Sequence, residues 1–372
     1  MKKIVAFVCA VFMMLTVLSG CTLKKSVIPG VIDEEEEILV TYPMYKPDIL
    51  GHEITIEKPF EKIYCLDYPT FYAAVIVTDG IEKIAGYNPE DMQGTIYTYL
   101  YPEYVKIPTV VRNGEIDYDK IVEIGIDAYI VLSEYDADEY EELAAKGLTP
   151  SVESGDGEGK ATANNRIFAL MQATGNITRS KDRIITETSN IYIDFDAMID
   201  SEEVELKETE RKSVLFLGDT ARSVYTHTAA DEIIEHSHGI NAAKDLEIKS
   251  DIICQSGRPL KEFTEVTAEK IVQWNPDVIW IPYYSTYGVD DVMNDPELSQ
   301  VTAVKNGDVY IFPGELEPWY DSTLSMYLGT CWAANNLYPE LYPYERFMEK
   351  VDEFYTLCYG RTFTEKELGL TR

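Results

Sequence analysis

Two stretches of the sequence, DKIVEIGIDAYIVL at residues 119–132 and EKIVQWNPDVIWIP at residues 269–282, decide the fold because they repeat one pattern at an offset of 150 residues. Each begins with an apolar pair at helical spacing, Ile121 with Ile124 and Ile271 with Trp274. Each then passes through a turn into a short apolar run of the kind that forms buried parallel strands. The repeat therefore predicts the same helix-then-strand unit in two places.

A second pair of stretches, residues 62–74 and 213–225, lies at nearly the same offset, and each predicts an apolar strand that runs into a polar loop. Two matching pairs at nearly one offset indicate an internal repeat. We therefore predict an α/β protein with two lobes of similar build and a ligand cleft between them. The N-terminal lobe spans residues 47–165 and the C-terminal lobe spans residues 202–372.

Residues 166–201 form the predicted connection between the lobes. Residues 181–208 contain neither Gly nor Pro, and one apolar stripe runs through Ile184, Ile185, Ile191, Phe195 and Met198. This pattern predicts one long helix that acts as a stiff strut, so we expect small closure motions rather than a wide hinge. The glycine-rich segment 154–165 before it lacks the spacing of a phosphate-binding loop and is predicted to be a surface loop.

The N-terminus has the features of an export signal. Lys2 and Lys3 precede about 15 apolar or small residues, which is shorter than the roughly 20 needed to cross a bilayer. Residues 1–20 are therefore predicted to be a signal peptide. The string LSGC at residues 18–21 resembles the lipobox of bacterial lipoproteins, which predicts that Cys21 becomes the lipidated first residue.

Residues 21–46 contain an acidic run, Asp33 to Glu37, and no sustained period of 2 or 3.6, which indicates a flexible acidic linker. Acyl chains on Cys21 would hold a soluble body at the outer face of the cell membrane. We therefore predict a lipid-anchored, extracytoplasmic protein.

Composition narrows the class of partner. The chain has 372 residues, a formal net charge of -33 and 45% apolar residues. The negative charge argues against nucleic acid as a partner, because phosphate backbones are bound by surplus Lys and Arg. The apolar content suffices for two buried cores. We expect a monomer.

Motifs for catalysis or metal binding are scarce. The sequence has no GxSxG, no HExxH and no GxGxxG after a strand, so no catalytic residue and no cofactor is predicted. No CxxC pair is present, so a structural zinc site has no support, and we favour free thiols over disulfides. The four histidines, His52, His227, His236 and His238, are spaced too loosely to predict a metal site.

Loops that follow predicted strands are the place to look for ligand contacts, because ligands of α/β lobes bind outside the carboxyl ends of the strands. Aromatic and arginine side chains recur there in both halves, and they suit a flat or conjugated ligand with acidic groups. The predicted ligand-binding residues are Tyr68, Tyr87, Asn88, Arg112, Arg222, Tyr225, Tyr283, Tyr284, Trp319 and Tyr320.

Six stretches now carry a resemblance: ITIEKPFEKIYCLD, GIEKIAGYN, IDYDKIVEIGIDAYIV, VTAEKIVQWNPDVIWI, VTAVKNGDVYIFPG and YLGTCWAANNLYPELY. Together, over about residues 50–345, they resemble bacterial ABC-transporter substrate-binding proteins of the iron-siderophore, heme and cobalamin type. The resemblance implies two Rossmann-like lobes joined by one long helix, and a shallow cleft for a metal chelate or corrinoid. It also implies delivery to a permease powered by a cytoplasmic ATPase.

The resemblance further implies a docking role for one carboxylate in each lobe, placed in the helix before the "PD" strand, where the permease presents arginines. Glu269 matches that position in the second lobe. In the first lobe Asp119 stands where the family usually has Glu, and Gly125-Ile126-Asp127 replaces x-Pro-Asp. The shorter Asp119 is a departure from the family pattern at this contact.

The ligand itself stays open at this stage. The order of preference is a ferric siderophore, then a corrinoid or heme, then an oxyanion. One alternative is a metal-ion binder of the same fold, and a second is a surface lipoprotein with adhesive or hydrolase activity. Stoichiometric zinc or manganese in the purified protein would support the first alternative.

Overall fold

Two parallel β-sheets, one in each half of the chain, form the framework of the protein. The computed structural model describes residues 39–89, 95–154, 159–226, 228–249, 263–321 and 323–370. The predicted signal peptide, Cys21 and most of the predicted linker lie outside these ranges. The first strand begins at Met44, within the last residues of the segment predicted as linker.

The first-lobe sheet has four strands in the order β4-β3-β7-β8, all parallel. Two antiparallel hairpins, β1-β2 and β5-β6, flank it. All side chains from Tyr129 to Leu132 are buried, as expected of a parallel strand covered on both faces. The strands are β1 (Met44–Pro47), β2 (Glu53–Ile56), β3 (Ile63–Cys65), β4 (Ile84–Tyr87), β5 (Val111–Arg112), β6 (Glu115–Ile116), β7 (Tyr129–Ser133) and β8 (Thr149–Ser154).

Helices alternate with these strands. The first helix starts two residues after β3, where the Asp67 carboxylate caps it by accepting the Thr70 N–H at 2.9 Å. The polar loop predicted after this strand is therefore replaced by a helix, because Asp67 and Pro69 together form an N-terminal helix signal. The helices are α1 (Tyr68–Thr78), α2 (Ile96–Leu100), α3 (Tyr118–Ile124), α4 (Tyr140–Ala145) and α5 (Gly159–Thr174).

The second lobe repeats this plan with a parallel sheet in the order β11-β9-β13-β14 and an antiparallel pair, β10-β12. Val278 to Ile281 are all buried. The repeated helix-then-strand unit and the α/β fold with two parallel sheets are thus confirmed. The strands are β9 (Ser213–Phe216), β10 (Ser223–Tyr225), β11 (Ile240–Asn241), β12 (Phe263–Glu265), β13 (Val278–Ile281) and β14 (Val309–Ile311).

The connection between the lobes is helical, as predicted, but it contains a break. One helix ends at Tyr192 and the next begins at Asp194, so Ile193 separates them. The helical region ends at Asp200, near the end of the predicted connection at residue 201, and Glu202 has a positive φ of 61°. Acidic residues at this end oppose the helix dipole, which favours a stop there. The two helices are α6 (Arg179–Tyr192) and α7 (Asp194–Asp200).

The segment 154–165, predicted to be a loop, is helical from Gly159 onward, so that prediction is wrong for its second half. Residues 155–158 lie outside the described ranges. The alanines and asparagines after Gly159 do not prevent a helix, and packing against α1 and the first sheet outweighs the weak local preference. The helices after α7 are α8 (Thr228–His236), α9 (Ala268–Trp274), α10 (Val289–Met293), α11 (Thr302–Asn306), α12 (Met326–Leu337) and α13 (Tyr344–Tyr359).

The largest apolar core is shared by the two lobes. It includes Phe71 and Tyr97 from the first lobe and Phe216, Trp319 and Tyr355 from the second half of the chain. Separate smaller cores cover the outer face of each sheet. In the described residues, none of the helices combines the length and apolar character that a membrane-spanning segment requires.

Candidate ligand-binding site

The carboxyl ends of the two sheets approach each other through their exit loops. The backbone N–H of Ile96, in α2 of the first lobe, donates to the carbonyl of Leu316, in the loop after β14, at 2.7 Å. Farther along this interface the Tyr327 hydroxyl donates to the Asn164 side chain at 3.2 Å. The crevice expected outside the strand ends of such sheets is therefore bounded by α2 and α5 on one side and by the loop after β14 on the other.

The predicted first-lobe residues are mostly covered. Tyr68 is the first residue of α1 and is buried, and Tyr87 is buried between the rings of Phe71 and Tyr104, at centroid distances of 5.8 and 6.0 Å. Asn88 is buried, and its backbone N–H donates to the Cys65 carbonyl at 3.0 Å. In this arrangement these side chains are therefore covered by other parts of the protein.

The predicted second-lobe residues close to the sheet are also buried. The Tyr225 hydroxyl donates to the Tyr320 carbonyl at 3.2 Å, and the Trp319 indole N–H donates to the Tyr355 hydroxyl at 3.1 Å. Gly329 of α12 makes this packing possible, because a Cβ there would lie 2.1 Å from the Trp319 carbonyl oxygen. Trp319 and Tyr320 thus anchor the loop after β14, to which they belong, against Tyr225 and Tyr355.

Tyr283 and Tyr284, which follow β13 after Pro282, are the exposed aromatic members of the predicted set, with 45% and 47% of their surface accessible. The Tyr284 ring lies 5.7 Å from Tyr320 and 6.4 Å from Phe263. Gly314 permits a close approach to Tyr283, since a Cβ at that glycine would lie 2.9 Å from the Tyr283 Cβ. We call Tyr283 and Tyr284 the tyrosine ledge; it presents flat aromatic surface at a strand exit of the second lobe.

The two predicted arginines do not join the ledge. Arg112 lies within the hairpin strand β5 and contacts the carboxylate of Asp117, the capping residue of α3, at 3.5 Å. Arg222 is bound by the carboxylates of Asp295 and Glu297, the latter at 3.1 Å. Each arginine is therefore already engaged by acidic side chains of its own lobe.

The two predicted docking carboxylates occupy matching places. Asp119 and Glu269 are exposed in the first turns of α3 and α9, and each helix is capped by the preceding side chain, Asp117 or Thr267. The pKa of Glu269 lies below its ordinary value, because its carboxylate accepts its own backbone N–H and a bond from Thr267, with the Arg222 charge adding to the effect.

Sequence reasoning missed a buried acid at the junction of the lobes. Glu317, in the loop after β14, is 1% exposed, and within the described residues neither carboxyl oxygen makes a hydrogen bond of full geometry, although the hydroxyls of Tyr355 and Ser325 lie close by. Burial raises the pKa of Glu317 to about 8, and the hydroxyls of Tyr355 and Ser325 offset only part of the shift. The only sequence signal is an acid between Leu316 and Pro318.

A buried cation was also missed. Arg166 in α5 is 4% exposed, and its guanidinium contacts the carboxylate of Asp67, the cap of α1, at 3.2 Å. The signal is a single arginine in the run NNRIFALM, otherwise small or apolar after the asparagines. This pair fixes α5 to the start of α1 below the crevice.

Two of the histidines, His236 and His238, contact the carboxylate of Asp196. His236 Nδ1 and His238 Nε2 lie 2.5 and 2.7 Å from the two oxygens of Asp196 in α7. Burial raises the pKa of Asp196, but the bonds to His236 and His238 outweigh it, so the pKa lies below its usual range. Among the described residues no group of three or more His, Cys, Asp or Glu side chains is placed to hold a metal ion. His227 lies outside them.

Cys65, Cys331 and Cys358 carry free thiols. Cys254 and Cys21 lie outside the described residues, so the lipidation of Cys21 stays a prediction.

Three comparisons place the chain among known proteins. A family model described as periplasmic binding protein matches residues 89–316. The molybdate-binding protein MolA of Haemophilus influenzae is 27% identical over 105 residues, a segment that spans 28% of this chain and 30% of that protein.

Solved structures of low sequence identity share the fold. A periplasmic solute binding protein from Veillonella parvula aligns with a TM-score of 0.70 at 19% identity, covering 88% of this chain and 95% of that one. MolA bound to molybdate aligns with a TM-score of 0.68 at 17% identity over 86% and 99% of the two chains. CeuE of Helicobacter pylori with Ni(II) bound gives 0.67 at 16% identity over 88% and 99%.

Proposed function

Because this chain belongs to the periplasmic binding protein family, a family of non-enzymatic solute binders, we propose that it captures an iron complex outside the cytoplasm and delivers it to an ABC permease. The preferred cargo is a ferric siderophore, followed by heme or a corrinoid. The ligand lies in the crevice between the sheets, outside the carboxyl ends of the strands.

The tyrosine ledge is the observation that carries this choice. Tyr283 and Tyr284 expose aromatic faces at a strand exit, where a flat or conjugated chelate stacks on them. A bare metal ion would instead need several converging His, Cys, Asp or Glu ligands, and no such group exists in the described ranges. A chelate carries its own metal ligands and needs only surface from the protein.

An oxyanion is the second candidate, because the molybdate-binding relative from Haemophilus influenzae is 27% identical over its aligned segment. Oxyanions are bound best by Arg forks and other donors. Arg222 is bound by two carboxylates of its own lobe and is poorly placed to accept an anion. Arg112 meets only Asp117, at 3.5 Å, and lies in the hairpin strand β5. This arrangement supports the chelate over the oxyanion.

The test is a tryptophan-fluorescence titration of the purified protein with four probes: a ferric catecholate, hemin, cobinamide and molybdate. We expect tight binding of one of the first three. The double variant Tyr283→Ala, Tyr284→Ala should bind that probe about tenfold more weakly, since each aromatic contact contributes about 0.5–1.5 kcal/mol. Tyr45→Ala, at an exposed tyrosine on β1, is the matched control. Molybdate binding alone would overturn the iron-complex assignment.

Delivery to the permease rests on Asp119 and Glu269, exposed at matching positions of α3 and α9. The double variant Asp119→Asn, Glu269→Gln should keep its ligand affinity and lose cargo uptake in cells. Asp290→Asn, in the first turn of α10, is the control for an exposed helix-start acid in the same lobe. Unchanged uptake by the double variant would remove both residues from the docking contact.

The membrane tether is proposed from sequence alone. Cleavage after residue 20 leaves Cys21 to carry the lipid, and the segment between Cys21 and β1 serves as a leash that keeps the loaded protein close to its permease. A Cys21→Ala variant should appear in the soluble extracytoplasmic fraction. Retention of that variant on membranes would contradict the anchor.

A further inference from the structure

Five tyrosines surround Glu317 where the two lobes meet, and we call these six residues the Glu317 cluster. Glu317 follows β14 in the second lobe, and the tyrosines come from three helices. The ring of Tyr97 lies 6.0 Å from Tyr68, and the ring of Tyr72 lies 6.1 Å from Tyr359. The tyrosines are Tyr68 and Tyr72 of α1, Tyr97 of α2, and Tyr355 and Tyr359 of α13.

The polar atoms of the cluster are buried and poorly satisfied. Within the described residues, both carboxyl oxygens of Glu317 and four of the five hydroxyls have no hydrogen-bond partner; these hydroxyls belong to Tyr68, Tyr72, Tyr97 and Tyr359. Leaving such groups buried and unpaired is unfavourable, because they lose their hydrogen bonds to water. Separation of α1 and α2 from the loop after β14 would let water reach them, so this cost falls on the closed arrangement.

No cation balances the Glu317 charge. Among the described residues, no Lys or Arg forms an ion pair with it. Lys181, which acts on the neighbouring Cys358 thiol, already binds the Ile76 carbonyl at 2.6 Å and the Asp79 carboxylate. The titratable groups that interact with Glu317 are Tyr68 and Tyr72 from α1, Tyr97 from α2, and Tyr355, Cys358 and Tyr359 from α13. Asp321 adds negative charge beside Tyr68.

We propose that the Glu317 cluster is a proton-dependent latch, which holds the two lobes together while Glu317 keeps its proton and favours their separation once the carboxyl ionises. An ionised carboxylate without a partner must regain water, and the shortest route is to part the contact between Ile96 and Leu316. The proposal concerns the lobes alone and does not depend on which cargo they bind.

The direction follows from linkage. In the closed arrangement the pKa of Glu317 is about 8, whereas a hydrated glutamate has 4.5. The closed arrangement therefore binds the proton more tightly, and raising the pH between these values moves the equilibrium toward the open arrangement by up to about tenfold per pH unit. At acidic pH the latch is shut, and in mildly alkaline solution it loosens.

Hydrogen exchange of the ligand-free, full mature chain tests the latch at pH 6.0 and pH 9.0, with small-angle scattering in parallel. The reporter is the amide of Ile96, which donates across the interface. In the wild type its exchange should rise at least about tenfold beyond the intrinsic effect of pH, with an increase in radius of gyration. In Glu317→Gln, which stays neutral, both changes should be absent.

Glu315→Gln is the matched control, because Glu315 is exposed and lies two residues away on the same loop. It should behave like the wild type. If Glu317→Gln does not fold, Tyr97→Phe serves instead, since it removes one unpaired hydroxyl and should slow exchange at both pH values. A wild type that shows no pH effect at Ile96, or a Glu317→Gln variant that responds as strongly as the wild type, overturns the proposal.

Discussion

Two buried carboxyls, Glu317 and Asp194, sit between packed elements of this protein, and their surroundings are opposite. Asp194, at the start of α7, receives a bidentate bond from Arg346 at 2.7 and 2.9 Å and a hydroxyl bond from Tyr342 at 2.8 Å. Glu317 is surrounded by phenols, and no Lys or Arg of the described residues forms an ion pair with it. The surroundings of Asp194 stabilise the ionised carboxylate, and those of Glu317 stabilise the protonated carboxyl.

This difference reverses the response to pH. Burial raises the pKa of Asp194, but the bonds from Arg346 and Tyr342 outweigh it, so the pKa lies below its ordinary value of 3.8. The pKa of Glu317 lies far above its ordinary value of 4.5. Asp194 therefore stabilises the fold above its unfolded pKa, and Glu317 stabilises it below its own. The direction of the pKa shift of a buried acid therefore depends on its bonding partners and not on its position between packed elements.

Removing the charge of Asp194 should give the largest loss of stability. Asp194→Asn leaves the guanidinium of Arg346 without its bidentate partner, and we expect the free energy of unfolding to fall by about 3 kcal/mol at pH 7. Urea denaturation measures the change. Asp200→Asn, at an exposed acid of the same helix, should stay within about 0.5 kcal/mol of the wild type. Equal effects of the two substitutions would show that the Arg346 bond carries no special weight.

The ionisation of Glu317 should make the free energy of unfolding depend on pH, instead of lowering it by a constant amount. Between about pH 5 and pH 8 the wild type should lose stability relative to Glu317→Gln by up to about 1.4 kcal/mol per pH unit, because only the unfolded chain ionises this group there. Chemical denaturation at half-unit steps measures both curves. Parallel curves would mean that Glu317 is ionised in the native state.

Asp194 should govern how the free energy of unfolding falls at acidic pH. Because its folded pKa is depressed, its contribution is present above pH 3.8 and is lost as the pH falls through the lower, folded value. Thermal unfolding should therefore show a shallower loss below pH 4 in Asp194→Asn than in the wild type. A steeper loss of stability in the variant would show that the folded pKa of Asp194 is not depressed.

The contact of Asp196 with two histidines should give the smallest effect. His238 and Asp196 are each about 27% exposed at their side chains, so water screens the pair. We expect His238→Gln to lower the free energy of unfolding by about 0.5–1 kcal/mol. A loss comparable to that of Asp194→Asn would place this partly exposed contact in the same class as the buried one.

The sequence predicts the two parallel sheets well, because local patterns of apolar residues specify their helices and strands. The repeated EKIV-type helix and the apolar run after it specify two parallel strands, and both are found at the expected residues, Tyr129–Ser133 and Val278–Ile281. The break at Ile193 has no such local signal. It accompanies tertiary contacts on either side, Tyr192 against the Tyr327 ring at 4.8 Å and Asp194 with Arg346.

The candidate site is harder to predict, because an aromatic residue at a strand exit suits both a ligand and a core. Tyr283 and Tyr284 are exposed, whereas Tyr225, within β10, and Tyr320, in the loop after β14, are buried against Phe216. What separates them is coverage by distant segments, which no local pattern records. Glu317 is invisible to the same reasoning, since its tyrosine neighbours lie more than 200 residues away in one lobe and about 40 in the other.

The attachment of α6 to the first lobe has a consequence for where the chain can be divided. Lys181 is buried and binds the Ile76 carbonyl and Asp79 at the end of α1, and the Asn176 side chain donates to the Val77 carbonyl. A fragment that stops at residue 165 would leave all these acceptors bare. One that continues through Tyr192 would keep them covered, so a division at Ile193 leaves the end of α1 intact, whereas a division at residue 165 does not.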